Sequence, residues 1–416
     1  MYGGILSISI VLGACMPVKH LLSISDLKSE SILSLIESAV DIAEGRKDGQ
    51  RPLAGRIVGV YFRKTSTRTR TSFTVGAMKL GAEVIAYGPN DLQIVTGETV
   101  LDTANVLASY LDALVVRTND AIEEMHQFAS QDRMAVINAM SANEHPTQSL
   151  ADLATLRERF GRLEGLHVLY LGEGNNSASA IALAMARIPG MRLTLVTPEG
   201  YGLPEDFVAA AGATAAANGS RIEQHHDMGH LPRGVDAVYT TRWLTMGVQR
   251  SEDWLPRFRP YTVPPEVMAE VSKPGGGTVF LHDLPAMRGY EVVDEVLDGP
   301  QSIALRQAYH KMTSAMAVLK WCLSDYPLNS RQSLARDSMH RDDDRPPEFP
   351  RRRGRPHRGR AERRPDRARR PGPSRRSRGG LLAAGRQGAR RGRLQDPRRG
   401  GRERAPDPPP RAPHQR

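Results

Sequence analysis

The sequence predicts an α/β protein of two domains, each a mostly parallel sheet flanked by helices, with a disordered Arg/Pro-rich C-terminal tail. Three observations carry this prediction. From residue 17 to about 325, short apolar runs alternate with helical periodicities, as in parallel strands joined by crossover helices. That stretch spans roughly 300 residues, more than a single core usually holds. Beyond about residue 340 the pattern stops, and residues 341–416 carry 26 Arg, no Lys and 13 of the chain's 29 Pro.

The elements follow in order. SESILSLIESAVDIAEG (29–45) places Ile32, Ile36, Ala39, Val40 and Ala43 on one helix face, with Ser29 as the expected N-cap and Gly45 as the stop. RIVGVYF (56–62) is a buried strand, TRTSFTVGAMKLG a helix stopping at Gly81, and EVIAYG a second strand. TANVLASYLDAL (103–114) has helical spacing, and LVVR gives a short strand. MAVINAM is a strand leading into HPTQSLADLATLRERFG, a helix expected to stop at Gly161. HVLYLG (167–172), RLTLVT (192–197), DAVYTT (236–241) and TVFLHDLP (278–285) supply further strands, and residues 301–323 a long closing amphipathic helix. The two domains are expected at 17–150 and 151–325, with the last helix returning to the first domain.

Charge divides the chain as sharply as pattern does. The net charge is +11. Residues 341–416 alone carry +17, however, because their 26 Arg face nine acids, which leaves the rest at −6. The tail therefore owns the basic character, and its composition cannot offset the entropy of ordering. An Arg-only, Pro- and Gly-rich tail has the composition of a GC-rich frame read out of register, the favoured reading. A genuine disordered extension comes second. Nonspecific nucleic-acid binding comes last, since Phe349 is the tail's one aromatic residue for base stacking. Cys15 and Cys322 are the two cysteines, far apart. They exclude a disulfide scaffold and a cysteine metal site, and fit a reducing cytoplasm. No apolar run has the length of a membrane span. ILSISIVLGAC near the N-terminus resembles a signal-peptide core but no Lys or Arg precedes it, so Met16 is the expected natural start.

The chemistry concentrates in FRKTSTRTRTSF (62–73), where a strand hands over to a helix. Helix N-termini carry unpaired N–H groups and about half a positive charge. Ser66, Thr67, Arg68 and Thr69 add hydroxyls and a guanidinium, which makes an oxyanion cradle. The plainer alternative is a solvated cap with a charged first turn. GEGNN (172–176) is a strand-to-helix turn without the dinucleotide fingerprint, so no nicotinamide cofactor is expected.

The motif STRTRTSF resembles the carbamoyl phosphate motif of the aspartate and ornithine carbamoyltransferase family. HPTQSLADL resembles the family's His-Pro-x-Gln segment, GEGNN its Gly-Asp-Gly-Asn-Asn turn, WLTMG the ornithine branch's Ser-Met-Gly loop, and HDLPAMRGYEV its His-Cys-Leu-Pro segment. The resemblance covers about residues 17–325. It implies that Ser66, Thr67, Arg68, Thr69, Arg117, His145, Gln148, the Leu284 carbonyl and Lys311 bind carbamoyl phosphate, with Arg117 and His145 catalytic. It also implies a homotrimer with shared active sites, in which a loop near Gln93–Glu98 reaches a neighbour. The reaction needs neither metal nor cofactor. A neutral amine attacks the carbamoyl carbon, charge grows on the carbonyl oxygen, and phosphate leaves. Fixed donors and alignment supply the catalysis.

Departures from the family pattern cluster where the acceptor would bind. The carbamoyl phosphate half has one visible change, a family arginine that becomes Lys311, which keeps charge but loses the planar fork. The ornithine branch's Asp becomes Thr241, followed by Arg242, and Thr-Arg resembles the aspartate branch, where that arginine binds a carboxylate. The ornithine-type Cys becomes Asp283. Arg242 is therefore expected to take an acceptor carboxylate and Asp283, counted catalytic, to hold its amine, with Asn176, Thr245 and Met246 assisting. That arrangement suits an ornithine-like or short diamino acid. Drift in a non-catalytic paralogue is the alternative, and the intact Arg68, Arg117, His145 and Gln148 argue against it.

Overall fold

A computed structural model describes residues 18–46, 49–243, 250 and 253–324. The expectations about the first 15 residues, about residues 341–416 and about Thr245 and Met246 lie outside these. All the described residues fall in one compact unit.

Two parallel sheets organise it. The first contains Ile57–Phe62 (β1), Glu83–Tyr87 (β2), Ala113–Arg117 (β3) and Ala135–Asn138 (β4) in the order β2-β1-β3-β4. Its helices are Ser29–Ala43 (α1), Arg68–Lys79 (α2), Val100–Leu107 (α3) and Glu123–Phe128 (α4). Pro146–Phe160 (α5) leads across to the second sheet, which contains His167–Leu171 (β5), Arg192–Val196 (β6), Arg221–His225 (β7), Ala237–Thr240 (β8) and Val279–His282 (β9). Its order is β7-β6-β5-β8-β9. Asn176–Met185 (α6), Glu205–Ala217 (α7), Trp254–Phe258 (α8), Pro265–Val271 (α9), Asp294–Leu297 (α10) and Ala304–Leu323 (α11) complete the chain.

Register decides which loops meet. Phe62 at the end of β1 stands opposite Arg117 at the end of β3. Leu171 pairs with Thr240, and Thr240 with His282. The stretch 63–69 therefore emerges beside Arg117, while 172–177, 241–242 and 283–284 emerge together. These are the carboxyl ends of parallel strands, where open α/β sheets place their ligands.

Two local expectations are corrected. Ser29 is the first residue of α1 and not its cap; Lys28 holds the cap position without a side-chain bond. The helix expected over 103–114 instead runs Val100–Leu107, started by Thr99 accepting from the Asp102 N–H at 3.0 Å. It ends early because Asp112 is drawn to β1: its N–H donates to the Ile57 carbonyl and its carboxylate accepts the Ile57 N–H, both at 2.8 Å. Arg56, also buried, pairs with the same carboxylate at 3.1 Å.

The last helix stitches the molecule together. α11 leaves β9 through the Ile303 N–H, which donates to the Phe280 carbonyl at 2.9 Å, and then packs along α1, α2 and α5. Its apolar face, with Val318, Leu319, Cys322 and Leu323, is buried in the first sheet's core.

The GEGNN turn is constrained by space. A Cβ on Gly174 would lie 2.3 Å from the Leu203 N and 2.5 Å from the Gly202 C, both backbone atoms that no rotamer change can move. Gly174→Ala must displace either its own turn or residues 202–203. It is expected to lower stability by about 1–3 kcal/mol, read as a lower urea midpoint at unchanged slope.

Candidate active site

Helices α2, α5 and α6 begin at one cleft, but their N-termini differ. Asn175 caps α6 with its own side chain, accepting from the Ser177 and Ala178 N–H groups at 3.0 and 3.2 Å. Neither Thr67 at α2 nor His145 at α5 makes a side-chain cap. Two helix starts thus keep their partial positive charge toward a cavity of about 290 Å³. Of the cations in FRKTSTRTRTSF, Lys64 and Arg68 line that cavity. The other two are structural: Arg63 bonds Glu124 at 2.8 Å, and Arg70 lies over the Phe62 ring.

Arg117 reaches the same cavity from β3 and donates to Thr69 Oγ1 at 3.0 Å, while its Nε finds no partner among the described residues. Burial pushes its guanidinium down to about 10, with Asp283 opposing and Arg68 adding to the fall. Arg68 is lowered for the same leading reason. His145 is buried and held well below the usual imidazole range by burial and then by Lys311 and Arg117, so it is neutral at pH 7. A neutral ring can donate to or accept from a carbamoyl group without adding a further charge.

Behind this layer a chain of polar groups joins the two sheets. Lys311 donates to Gln148 Oε1, and Gln148 Nε2 donates to Asp152 Oδ1 at 2.7 Å. Gln307 donates to the same oxygen at 2.7 Å and accepts the His282 N–H at 2.8 Å. Burial raises Asp152, against the hydrogen bonds from Gln307 and Gln148. Lys311 is pushed down chiefly by burial, with Asp283 and Asp152 opposing and Arg117 and Arg68 adding to the fall.

On the second sheet's side, Asp283 lines the cavity and accepts from Ser177 Oγ at 3.0 Å. Burial raises it, while His282, Lys311, Ser177 and Arg68 pull it down. Leu284 lines the cavity at φ +53°, its N–H held by His282 Nδ1 at 2.8 Å. Arg242 also lines it, with a buried Nε that has no partner among the described residues.

Most of the sequence-predicted residues therefore meet: Ser66, Thr67, Arg68, Thr69, Arg117, His145, Gln148, Asn176, Arg242, Asp283, Leu284 and Lys311 share one cavity. Thr241 does not. It is buried behind the wall, its Oγ1 at 2.8 Å from both Tyr170 Oη and Asn175 Nδ2. Asn176 spends its amide on the Ser141 carbonyl at 2.8 Å, tying the two halves of the cleft. Lys64, Asn119, Met140, Asn175 and Ser177 also line the cavity without having been singled out. Asn175 and Ser177 flank the expected Asn176, so the turn motif itself was their signal. Met140 had none; its φ of 150° follows from the Asn138 side chain accepting its N–H at 2.9 Å.

Next to Glu173 and Trp243, on the second sheet's side, one arginine is boxed in. Arg250 donates to Glu173 Oε2 at 2.5 Å and to the Trp243 carbonyl at 2.6 Å. It lies 5.4–5.8 Å from the ring centres of Phe258, Tyr201 and Trp254.

Comparison with known proteins agrees with this geometry. Residues 19–158 match the family model for the aspartate/ornithine carbamoyltransferase carbamoyl-P binding domain, and residues 164–322 that for the Asp/Orn binding domain. The chain belongs to the aspartate/ornithine carbamoyltransferase family. It is similar to the ornithine carbamoyltransferase of Methanothermobacter thermautotrophicus, 38% identical over 312 residues, covering 74% of this chain and all of that one. The enzyme of the same name from Bacillus thuringiensis is 38% identical over 302 residues, covering 72% and 93%. Among solved structures, ornithine carbamoyltransferase from Pyrococcus furiosus superposes with a TM-score of 0.69 at 35% identity, covering 74% of this chain and 97% of that one. The Thermus thermophilus structure gives 0.64 at 30%, covering 73% and 98%. This carbamoyltransferase lies on the ornithine branch and moves the carbamoyl group of carbamoyl phosphate to an amino group. Among the described residues, no group of three or more His, Cys, Asp or Glu is placed to hold a metal, and no helix is long and apolar enough to cross a membrane.

A lysine ammonium lowered by burial loses its charge as pH rises, where an arginine would keep it. Affinity for carbamoyl phosphate is therefore expected to fall on the alkaline side, and Lys311→Arg to move that fall upward by at least one pH unit. Equilibrium binding across pH 6.5–9.5 checks this.

Proposed function

We propose that the enzyme carbamoylates an ornithine-like or short diamino acid, with the carbamoyl phosphate held by the first domain (17–150) and the acceptor by the second (151–325). The observation that carries this reading is the pairing of Arg242, whose buried Nε lacks a partner among the described residues, with Asp283 across one cavity. In this reading the uncapped start of α2, with Ser66, Thr67, Arg68 and Thr69, takes the phosphate, and Arg117 spans phosphate and carbonyl oxygen. His145, Gln148 and the Leu284 carbonyl orient the carbamoyl group, and Lys311 adds a point charge. Arg242 takes the acceptor carboxylate and Asp283 its amine. Thr241 contributes by fixing Asn175 and Tyr170 and not by touching the acceptor, which is why the ornithine branch's usual grip is replaced. Asn176 holds the cleft's floor.

The same reading makes the enzyme a cytoplasmic homotrimer. Val95, Leu101, Val106 and Tyr110 are about half exposed on one side of the first sheet, next to the Gln93–Glu98 loop. An apolar surface of this kind suits a subunit interface.

The test is a panel of ornithine, aspartate, 2,3-diaminopropionate, putrescine and acetylornithine, assayed for ureido product with the full chain and carbamoyl phosphate. A diamino acid is expected to be the preferred acceptor; preference for putrescine would refute the carboxylate role of Arg242. Arg242→Ala is expected to raise the acceptor's KM at least tenfold, with carbamoyl phosphate affinity changed less than threefold. Equal losses for both substrates would overturn the assignment.

A further inference from the structure

An acceptor that carries its amine as an ammonium has no lone pair with which to attack. Something in the cleft must take that proton, and the groups facing the reacting centre are nearly all unsuited. Arg68, Arg117 and Arg242 present guanidinium groups, which donate hydrogen bonds and accept none. Lys311 is already bonded to Gln148 and sits among those cations. His145 is crowded by Lys311 and Arg117, which oppose a further positive charge. Asp283 is the carboxylate among the cavity's lining residues.

Its surroundings leave one oxygen available. Ser177 donates to Oδ2 at 3.0 Å. Oδ1 is 3.6 Å from His282 Nδ1, but that nitrogen accepts the Leu284 N–H at 2.8 Å and so presents no proton to Asp283. The His282 ring is kept in this tautomer by Glu291, whose Oε1 lies 3.2 Å from Nε2. No other described donor reaches Oδ1. From the remaining elements, Asp283 feels Arg68 of α2, Arg117 of β3, Lys311 of α11, Asp152 of α5, and the hydroxyls of Tyr170 and Tyr239.

We propose that Asp283 Oδ1 is the base that removes the acceptor ammonium's proton. This rests on the acceptor assignment made above and adds a chemical step to it. Asp283 carboxylate and R–NH₃⁺ become the carboxylic acid and R–NH₂. The nitrogen lone pair then forms the N–C bond, the C–O bond to phosphate breaks, and the second amine proton leaves with the phosphate as HPO₄²⁻. The acid returns its proton to solvent as product departs. Occupancy of the phosphate cradle favours the transfer. A dianion beside Arg68, Arg117 and Lys311 offsets cations that otherwise hold Asp283 down, and so raises its affinity for a proton.

Asp283→Asn keeps the shape and an acceptor for Ser177 while removing the basic oxygen. With the preferred acceptor and saturating carbamoyl phosphate, kcat is expected to fall by about 10²–10⁴-fold, the range of general base catalysis, and the acidic limb of the wild-type kcat–pH profile to disappear. Carbamoyl phosphate affinity is expected to stay within threefold. Asp283→Glu, which keeps a carboxylate, is expected to restore the acidic limb at reduced kcat. An Asp283→Asn enzyme with kcat within fivefold of wild type and an intact acidic limb would overturn the proposal. So would a raised acceptor KM at unchanged kcat, which marks a group that only holds the amine. Wild-type protein inactive with every amine would instead sink the acceptor assignment, and this step with it.

Discussion

The structure is built around charges that repel one another. Arg68, Arg117, Lys311 and Arg242 converge on one cleft with Asp283 as the facing carboxylate. Two unit charges about 6 Å apart repel by about 3 kcal/mol at an effective dielectric near 20. Such an arrangement persists only if the scaffold over-determines each position. Arg117 is fixed by strand register and by Thr69, Arg68 by the start of α2, and Lys311 by Gln148. In the proposed binding mode, that repulsion is what a dianionic substrate relieves.

That over-determination is not local. Lys311, Gln148, Asp152, Gln307 and the His282 backbone form one buried chain from the last helix through α5 to the final strand. A buried polar network is stable when its members are satisfied together and costly when they are not. The two sides of the cleft are therefore coupled through Asp152, Gln307 and the His282 backbone, which lie behind the cavity wall. Asn176 and Ser179 add a second link, bonding the Ser141 and Asn143 carbonyls.

Much of the fold was legible because strands and helices announce themselves by period and punctuation. The stops at Gly161, immediately after α5, and at Gly81, two residues after the end of α2, both fall at positive φ. That residues 64–69 meet at one cavity was legible because they are contiguous. What could not be read was long-range. Asp112 ends a helix by bonding a strand 55 residues earlier. Thr241 looks like an acceptor residue until Tyr170, 71 positions away, turns it inward. Arg250 finds Glu173 and three aromatic rings brought together from three separate stretches of chain, the loops after β5 and β6 and helix α8. Sequence spacing carries no record of such meetings, whereas a motif that contacts its ligand through neighbouring residues does.

The route of α11 bears on how the chain is made. The first sheet's core is lined by α1 and α2, from residues 29–79, and is closed by residues 304–323. During synthesis, α1 and α2 emerge well before the helix that covers them. The apolar faces of Ile32, Ile36, Phe73 and Ala77 then wait while the whole second sheet is translated. At about 5–20 residues per second that interval lasts on the order of ten seconds or more. The first domain is thus the first to be translated and the last to be sealed, and the exposed core in between is what a nascent-chain chaperone would meet.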